Sequence, residues 1–153
     1  MLAVVQRVRS ASVSVAATGY RAEIGPGLCV LLGVERGDAD PDAGWMAGKL
    51  ARLRIFRDDT DRMNRSVQDV GGAILLISQF TLAGDCRKGN RPSFVRAADP
   101  EMGRILYEAV GRRLRDEHRL PVETGVFGAM MDIALVNDGP VTIIVRTDPP
   151  HAV

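Results

Sequence analysis

Twice in this chain an Asp-Pro pair opens a stretch with helical apolar spacing. Almost everything else alternates, or runs apolar in pieces too short for a helix. Proline fits the first turn of a helix, where its missing N–H costs nothing, so Asp40-Pro41 and Asp99-Pro100 read as helix starts with Asp40 and Asp99 as caps. Behind the first, Trp45, Met46, Leu50 and Leu53 form a core stripe. Behind the second, Met102, Ile105, Leu106, Ala109, Val110 and Leu114 follow the period of 3.6 closely.

The remaining apolar segments predict strands. Residues 3–8 and 11–15 come first, the latter with Val13 and Val15 alternating against Ser12 and Ser14. After the turn signal Thr18-Gly19, residues 20–24 return as a hairpin partner. Residues 28–34 form an unbroken apolar run, the pattern of a strand buried on both faces. Further strands are predicted at 73–82, 122–126, 130–136 and 141–147. Sixteen Gly and eight Pro supply the turns. The expected fold is α+β: a strongly curved, barrel-like sheet covered by two main helices, one domain over residues 1–153.

Composition excludes several classes. Twenty basic against 19 acidic residues give a net charge of +1, which leaves room only for a local basic patch on a nucleic-acid binder. Cys29 and Cys86 form no CxxC pair, and with only His118 and His151 no Cys/His metal cluster assembles, so no metal or cofactor is expected. No apolar run reaches the roughly 18 residues of a membrane span, and the first residues lack a signal-peptide order. A cytoplasmic protein is the expectation. Gly44–Lys49 falls one residue short of a phosphate loop, and HExxH, GxSxG and GxGxxG motifs are absent.

Three polar interruptions stand out. Ser78, Gln79 and Thr81 follow an apolar run without a turn residue; extended, Gln79 and Thr81 would share one face and Ser78 and Phe80 the other. Such groups either satisfy one another at a strand end or line the mouth of a pocket. Next, the loop 84–94 carries Arg87, Lys88 and Arg91, a set that suits phosphate contact but equally a solvated turn. Last, Asn137-Asp138-Gly139-Pro140 reads as a turn between strands, with a Gly-Pro bond of the type that can be cis.

Taken with other segments, these resemble the D-aminoacyl-tRNA deacylases along almost the whole chain. Carrying the resemblance are Ala3-Val4-Val5-Gln6-Arg7-Val8, Leu53-Arg54-Ile55-Phe56, Met63-Asn64, Ser78-Gln79-Phe80-Thr81-Leu82, Lys88-Gly89-Asn90-Arg91-Pro92-Ser93-Phe94, Thr124-Gly125-Val126-Phe127-Gly128-Ala129 and Asn137-Asp138-Gly139-Pro140-Val141-Thr142. Leu2 and Met130 depart from the common pattern at peripheral positions. The resemblance implies a cytoplasmic homodimer that hydrolyses the ester between a D-amino acid and the 3′ end of tRNA, and that also clears glycine from the tRNA for alanine. It implies that Ser78, Gln79, Phe80 and Thr81 form the catalytic motif. Gly139 and Pro140, as a Gly-cis-Pro motif from the partner subunit, would hold the α-amino group and reject L-amino acids. Arg87, Lys88 and Arg91 are the expected tRNA contacts.

Two chemistries fit these residues. Thr81 could attack the ester, but a hydroxyl needs an adjacent base, and no His or Lys lies within six residues. Alternatively the terminal ribose 2′-hydroxyl assists a water while backbone amides near Phe80 and Thr81 stabilise the oxyanion. The second is favoured. An RNA-binding module without catalysis lacks its aromatic platform here, since aromatic residues make up only 5%. A small-molecule ester or amide hydrolase would have no use for the basic loop.

Overall fold

A computed structural model of the chain describes residues 1–147. Its organising element is β1 (Leu2–Val15), a single strand where the sequence predicts two. Arg9 and Ser10, the polar residues that suggested a break, are exposed outward while the backbone runs on. β1 changes partner along its length. Its first half pairs antiparallel with β3 (Gly27–Gly33), and its second half with β2 (Tyr20–Ile24). β8 (Asp132–Arg146) follows its other side throughout. A strand that serves two neighbours in succession must bend, and native twist curls the sheet further.

β3 continues in parallel to β6 (Ala73–Ser78), and β6 to β7 (Val122–Thr124). Parallel neighbours require a crossover. Helix α1 (Asp40–Arg52) lies between β3 and β6 in the chain, and α2 (Pro100–Asp116) between β6 and β7. A short hairpin, β4 (Phe56–Arg57) and β5 (Met63–Arg65), stands apart. The sheet is buried on both faces. Leu28, Val30, Leu32, Ile74 and Leu76 pack under the helices against Met46, Leu50, Val110 and Leu114. Cys29, Leu75 and Ile77 face inward with Val8, Val13 and Ile24. The fold is the expected one: a curved, barrel-like sheet covered by two helices.

Details of the helices differ from expectation. α1 begins at Asp40 with Ala39 as its cap, and Asp42 closes the first turn by accepting from the Ala39 N–H at 2.8 Å. Trp45 leaves the core stripe and is exposed, its ring 5.1 Å beneath the Lys49 ammonium. On α2 the buried arc is rotated toward Gly103, Tyr107 and Gly111, where small residues let the helix approach. Met102 and Ile105 are therefore left exposed at its margin.

Candidate active site

The apolar run of β6 ends at Ser78, and the chain then turns instead of extending to residue 82. Gln79 donates its N–H to the Leu32 carbonyl (2.8 Å), the last bond of the β3–β6 ladder, and Phe80–Ala83 form one 3₁₀ turn. Leu82 N–H to Gln79 C=O (3.3 Å) and Gly84 N–H to Thr81 C=O (3.0 Å) close it. Gly33 at the end of β3 makes room: a Cβ there would lie 2.9 Å from the Gln79 carbonyl oxygen and 3.2 Å from Leu82 Cβ. The predicted extended pairing of Gln79 with Thr81 is thus replaced by a turn, yet the two still meet. Gln79 Nε2 donates to Thr81 Oγ1.

This turn is anchored from below and open above. The Leu76 carbonyl, two residues before Ser78, accepts from Tyr107 Oη (2.7 Å) and from the Gly125 N–H (3.2 Å). Phe80 is 60% exposed, and its ring packs edge-on with that of Phe94, with centroids 5.3 Å apart. By the geometry of a helix start, the first N–H groups of the turn have no acceptor within it. Among the described residues, Phe80 N–H and Thr81 N–H have no other backbone acceptor.

Asn137–Val141 is neither a hairpin turn nor a break between two strands. It is a wide bulge inside β8: Gln6 pairs with Thr142 and Val8 with Asn137, so four residues stand opposite Arg7 alone. The Gly139-Pro140 peptide is cis, Gly139 has φ +131°, and both residues are exposed. Arg7 fills the hollow. Only 3% exposed, it donates through Nε to the Asp138 carbonyl (3.1 Å) and through a terminal nitrogen to the Ile55 carbonyl (2.6 Å), and it pairs with the Asp138 carboxylate at 3.2 Å. Asn137 Oδ1 accepts from the Val141 N–H (2.9 Å), and Thr142 Oγ1 accepts from Asn137 and Gln6. Arg7 appears in the sequence as the one charge in the apolar run 3–8, a signal that the residue answers a buried polar need.

One chain does not unite the two segments. Ser78 is level with Leu32 and Ala3, whereas the bulge is opposite Arg7. Along β1 that is four residues, about 13 Å, and β6 and β8 lie three strand spacings of about 4.8 Å apart across the sheet.

The remaining candidates are distributed as follows. In the loop after the turn, Asp85 and Ser93 exchange backbone hydrogen bonds at 2.8 and 3.0 Å. The Asp85 carboxylate grips Arg87 through its side chain and backbone N–H, which holds that carboxyl far below the usual range. Arg87 is therefore neutralised locally. Lys88 and Arg91 are exposed and, among the described residues, carry no ion pair. His118 follows α2, with its carbonyl accepting from Gln68, near the opposite end of β6 from Ser78. His151 lies outside the described residues. Burial pushes the Cys29 thiol up to about 11, so it stays protonated and inert. Among the described residues, no group of three or more His, Cys, Asp or Glu is placed to hold a metal ion.

Comparison with known proteins places the chain in a family. The family model described as D-Tyr-tRNA(Tyr) deacylase matches residues 4–146. The D-aminoacyl-tRNA deacylase of Chlorobaculum tepidum is 51% identical over 147 residues, covering 96% of this chain and 97% of that one. That of Thermus aquaticus is 54% identical over 145 residues, covering 95% and 94%. Among solved structures, a c-Myc DNA unwinding element binding protein superposes with a TM-score of 0.89 at 40% identity, covering 96% of this chain and 99% of that one. A probable eukaryotic D-amino acid tRNA deacylase shares the fold, with a TM-score of 0.79 at 20% identity over 94% and 97% of the chains. These matches define a hydrolase that acts on charged tRNA. More narrowly, the chain belongs to the D-aminoacyl-tRNA deacylase family. No helix among the described residues is long and apolar enough to cross a membrane.

Proposed function

We propose that deacylation occurs at a site completed by two copies of this chain, the Ser78–Thr81 turn coming from one and the Gly139-Pro140 bulge from the other. The observation that carries this reading is the separation of the two segments within a single chain, with Phe80 and Thr81 exposed on one and Gly139 and Pro140 on the other. β8 is also an edge strand, paired on one side with β1, and it leaves Ile144 71% and Val136 51% exposed, a surface suited to a second copy.

In this reading the Phe80 and Thr81 N–H groups receive the oxyanion that forms as the ester carbonyl is attacked. The attacking group is water, aided by the 2′-hydroxyl of the terminal ribose. The bond from the carbonyl carbon to the ribose 3′-oxygen breaks, and that oxygen takes up a proton, leaving a free amino acid and tRNA. Thr81 positions substrate. Its hydroxyl accepts from the Gln79 amide, a donor that cannot remove a proton, so nothing activates it as a nucleophile. Carbonyls of the bulge hold the α-ammonium group, and an L side chain meets the turn while D side chains and glycine do not. Lys88 and Arg91 of the loop, with Arg87, approach the tRNA, and the enzyme works in the cytoplasm where charged tRNA is.

Mixing two inactive variants tests the shared site. A dimer with two-fold symmetry holds two equivalent sites. Co-expressing Thr81→Trp, which blocks the turn, with Gly139→Trp, which blocks the bulge, makes half the dimers mixed, each with one intact site. Activity on D-tyrosyl-tRNA should return to about a quarter of wild type. Absence of recovery in mixed dimers that are isolated and intact overturns the two-copy site. With wild-type enzyme, D-alanyl- and glycyl-tRNA should be cleaved and L-alanyl-tRNA spared; equal rates for D and L would remove the chiral reading.

A further inference from the structure

We infer that the phosphate backbone of the tRNA 3′ end is received by a trio of arginines, Arg36, Arg96 and Arg146, around a cavity beside the Ser78–Thr81 turn. This rests on the deacylase reading of that turn. The cavity measures about 280 Å³ and is lined by all three arginines together with Glu35, Val95 and Thr147. That volume is near the lower end of what small-ligand sites occupy.

Three chain segments bring the arginines together; those of Arg36 and Arg96 border the turn, and that of Arg146 lies beyond β1 from it. Arg36 follows β3, whose Gly33 lies against the Gln79 carbonyl and Leu82. Arg96 is two residues beyond Phe94, the ring that meets Phe80. Arg146 is paired across β1 with Leu2, whose other neighbour is Gly33. The segments are stitched to one another: Arg36 donates its N–H to the Arg96 carbonyl (2.8 Å), and Ala98 its N–H to that of Val34 (3.0 Å).

The balance of charges leaves this patch positive. Glu35, its side chain 12% exposed, binds Arg96 through one carboxylate oxygen (2.5 Å) and Arg146 through the other (3.2 Å). One acid thus holds two guanidiniums close together, with most of their five donors each left over. Asp38 does not neutralise them, because it is engaged by the Met1 amino group and by the Glu35 N–H. Arg36 is exposed and, among the described residues, has no side-chain partner. In the loop expected from sequence to contact tRNA, Arg87 is instead tied to Asp85, while Lys88 and Arg91 carry no ion pair among the described residues. An arginine fork held in place but not consumed is the arrangement suited to phosphate oxygens. Val95, 67% exposed at the rim, offers apolar surface to a sugar or base.

The test compares D-tyrosyl-tRNA with 3′-O-D-tyrosyl-adenosine, which keeps the ester and the ribose but has no phosphate. Arg36→Ala should lower kcat/KM on the tRNA about tenfold relative to the nucleoside ester, through KM, and Arg36→Glu should lower it further. The dependence of log kcat/KM on log salt should flatten by about 0.7 for each single-strand phosphate that is no longer neutralised. Arg36→Lys should retain the slope, and Arg146→Ala should repeat the loss. Arg21→Ala, a cation on β2 opposite Ser14 at the far end of β1 from Leu2, serves as the control with wild-type values on both substrates. Equal losses on both substrates, or a salt slope altered only by Lys88→Ala and Arg91→Ala, would overturn the trio. Failure of wild-type enzyme to cleave either substrate would instead refute the deacylase reading itself.

Discussion

The turn at Ser78–Thr81 and the bulge at Asn137–Val141 are built in opposite ways. The bulge is tied down by side chains of its own chain: Arg7 beneath it, Asn137 across it, Gln6 and Thr142 beside it. The turn is held by backbone bonds and by the space Gly33 provides; Phe80 and Thr81 are exposed, Ser78 and Gln79 half-buried. A segment that must discriminate between mirror-image ligands has to be fixed before the ligand arrives. A segment that offers backbone N–H groups needs only the chain path to be correct. In this comparison, the side chains of the bulge should be far less replaceable than those of the turn.

The largest expected effect is therefore at Arg7. Arg7→Ala leaves the Ile55 carbonyl and Asp138 without their buried partner, and removing one member of such a pair typically costs several kcal/mol. Asp138 is partly exposed, so the loss should be nearer about 3 kcal/mol, a fall in Tm of about 10 °C for a chain of this size. Arg7→Lys keeps the charge but not the fork that spans two carbonyls, and should recover little. Calorimetry together with the ratio of D- to L-aminoacyl-tRNA hydrolysis checks this. If Arg7→Ala loses stability but keeps full discrimination, the bulge does not depend on its scaffold, and the contrast with the turn disappears.

The same contrast explains what the sequence disclosed. Periodicity located both helices and most strands, because burial on one face or two leaves a regular apolar pattern. It missed that residues 2–15 are one strand and that 132–146 are another, since polar residues at a bulge or a bend mimic a turn. The turn after Ser78 was illegible for a different reason. Nothing in Gln79-Phe80-Thr81 breaks a strand; the room for the turn comes from a glycine 46 residues earlier in β3. Long-range causes of that kind leave no local trace. The basic loop was visible, but whether a cation is free or paired depends on Asp85 turning back onto Arg87, which only the folded loop reveals.

A smaller effect is expected at Thr81. Its hydroxyl makes one exposed hydrogen bond, to Gln79, and such a bond is worth about 0.5–1.5 kcal/mol net. Thr81→Ala should reduce kcat by about tenfold or less while the backbone donors remain. Replacing the terminal ribose by 2′-deoxyribose should cost more. Mass spectrometry of quenched reactions checks the alternative directly: an acyl group trapped on Thr81 would make its side chain indispensable and would erase the proposed difference between the two segments.

The smallest effect concerns the loop that supports the turn through Phe94. Asp85 lies at its base, where Arg87 and a backbone N–H hold the carboxyl far below its usual value near 3.8. A carboxyl depressed on folding adds stability that is fully present above its unfolded value and is lost only as the pH falls through the folded one. From pH 8 down to about 5 the clamp should therefore stay ionised, and the loop should not contribute to any change in activity. Asp85 is half-buried, but its partner Arg87 is exposed, so the loss of their ion pair should be mild. Asp85→Asn should leave Tm nearly unchanged, and it should release Arg87 and raise the salt sensitivity of cleavage slightly, by adding one free cation near the tRNA. Salt-dependent kcat/KM at pH 7 measures this. If Asp85→Asn inactivates the enzyme, then the turn needs its loop fixed as firmly as the bulge needs Arg7, and the two segments are alike after all.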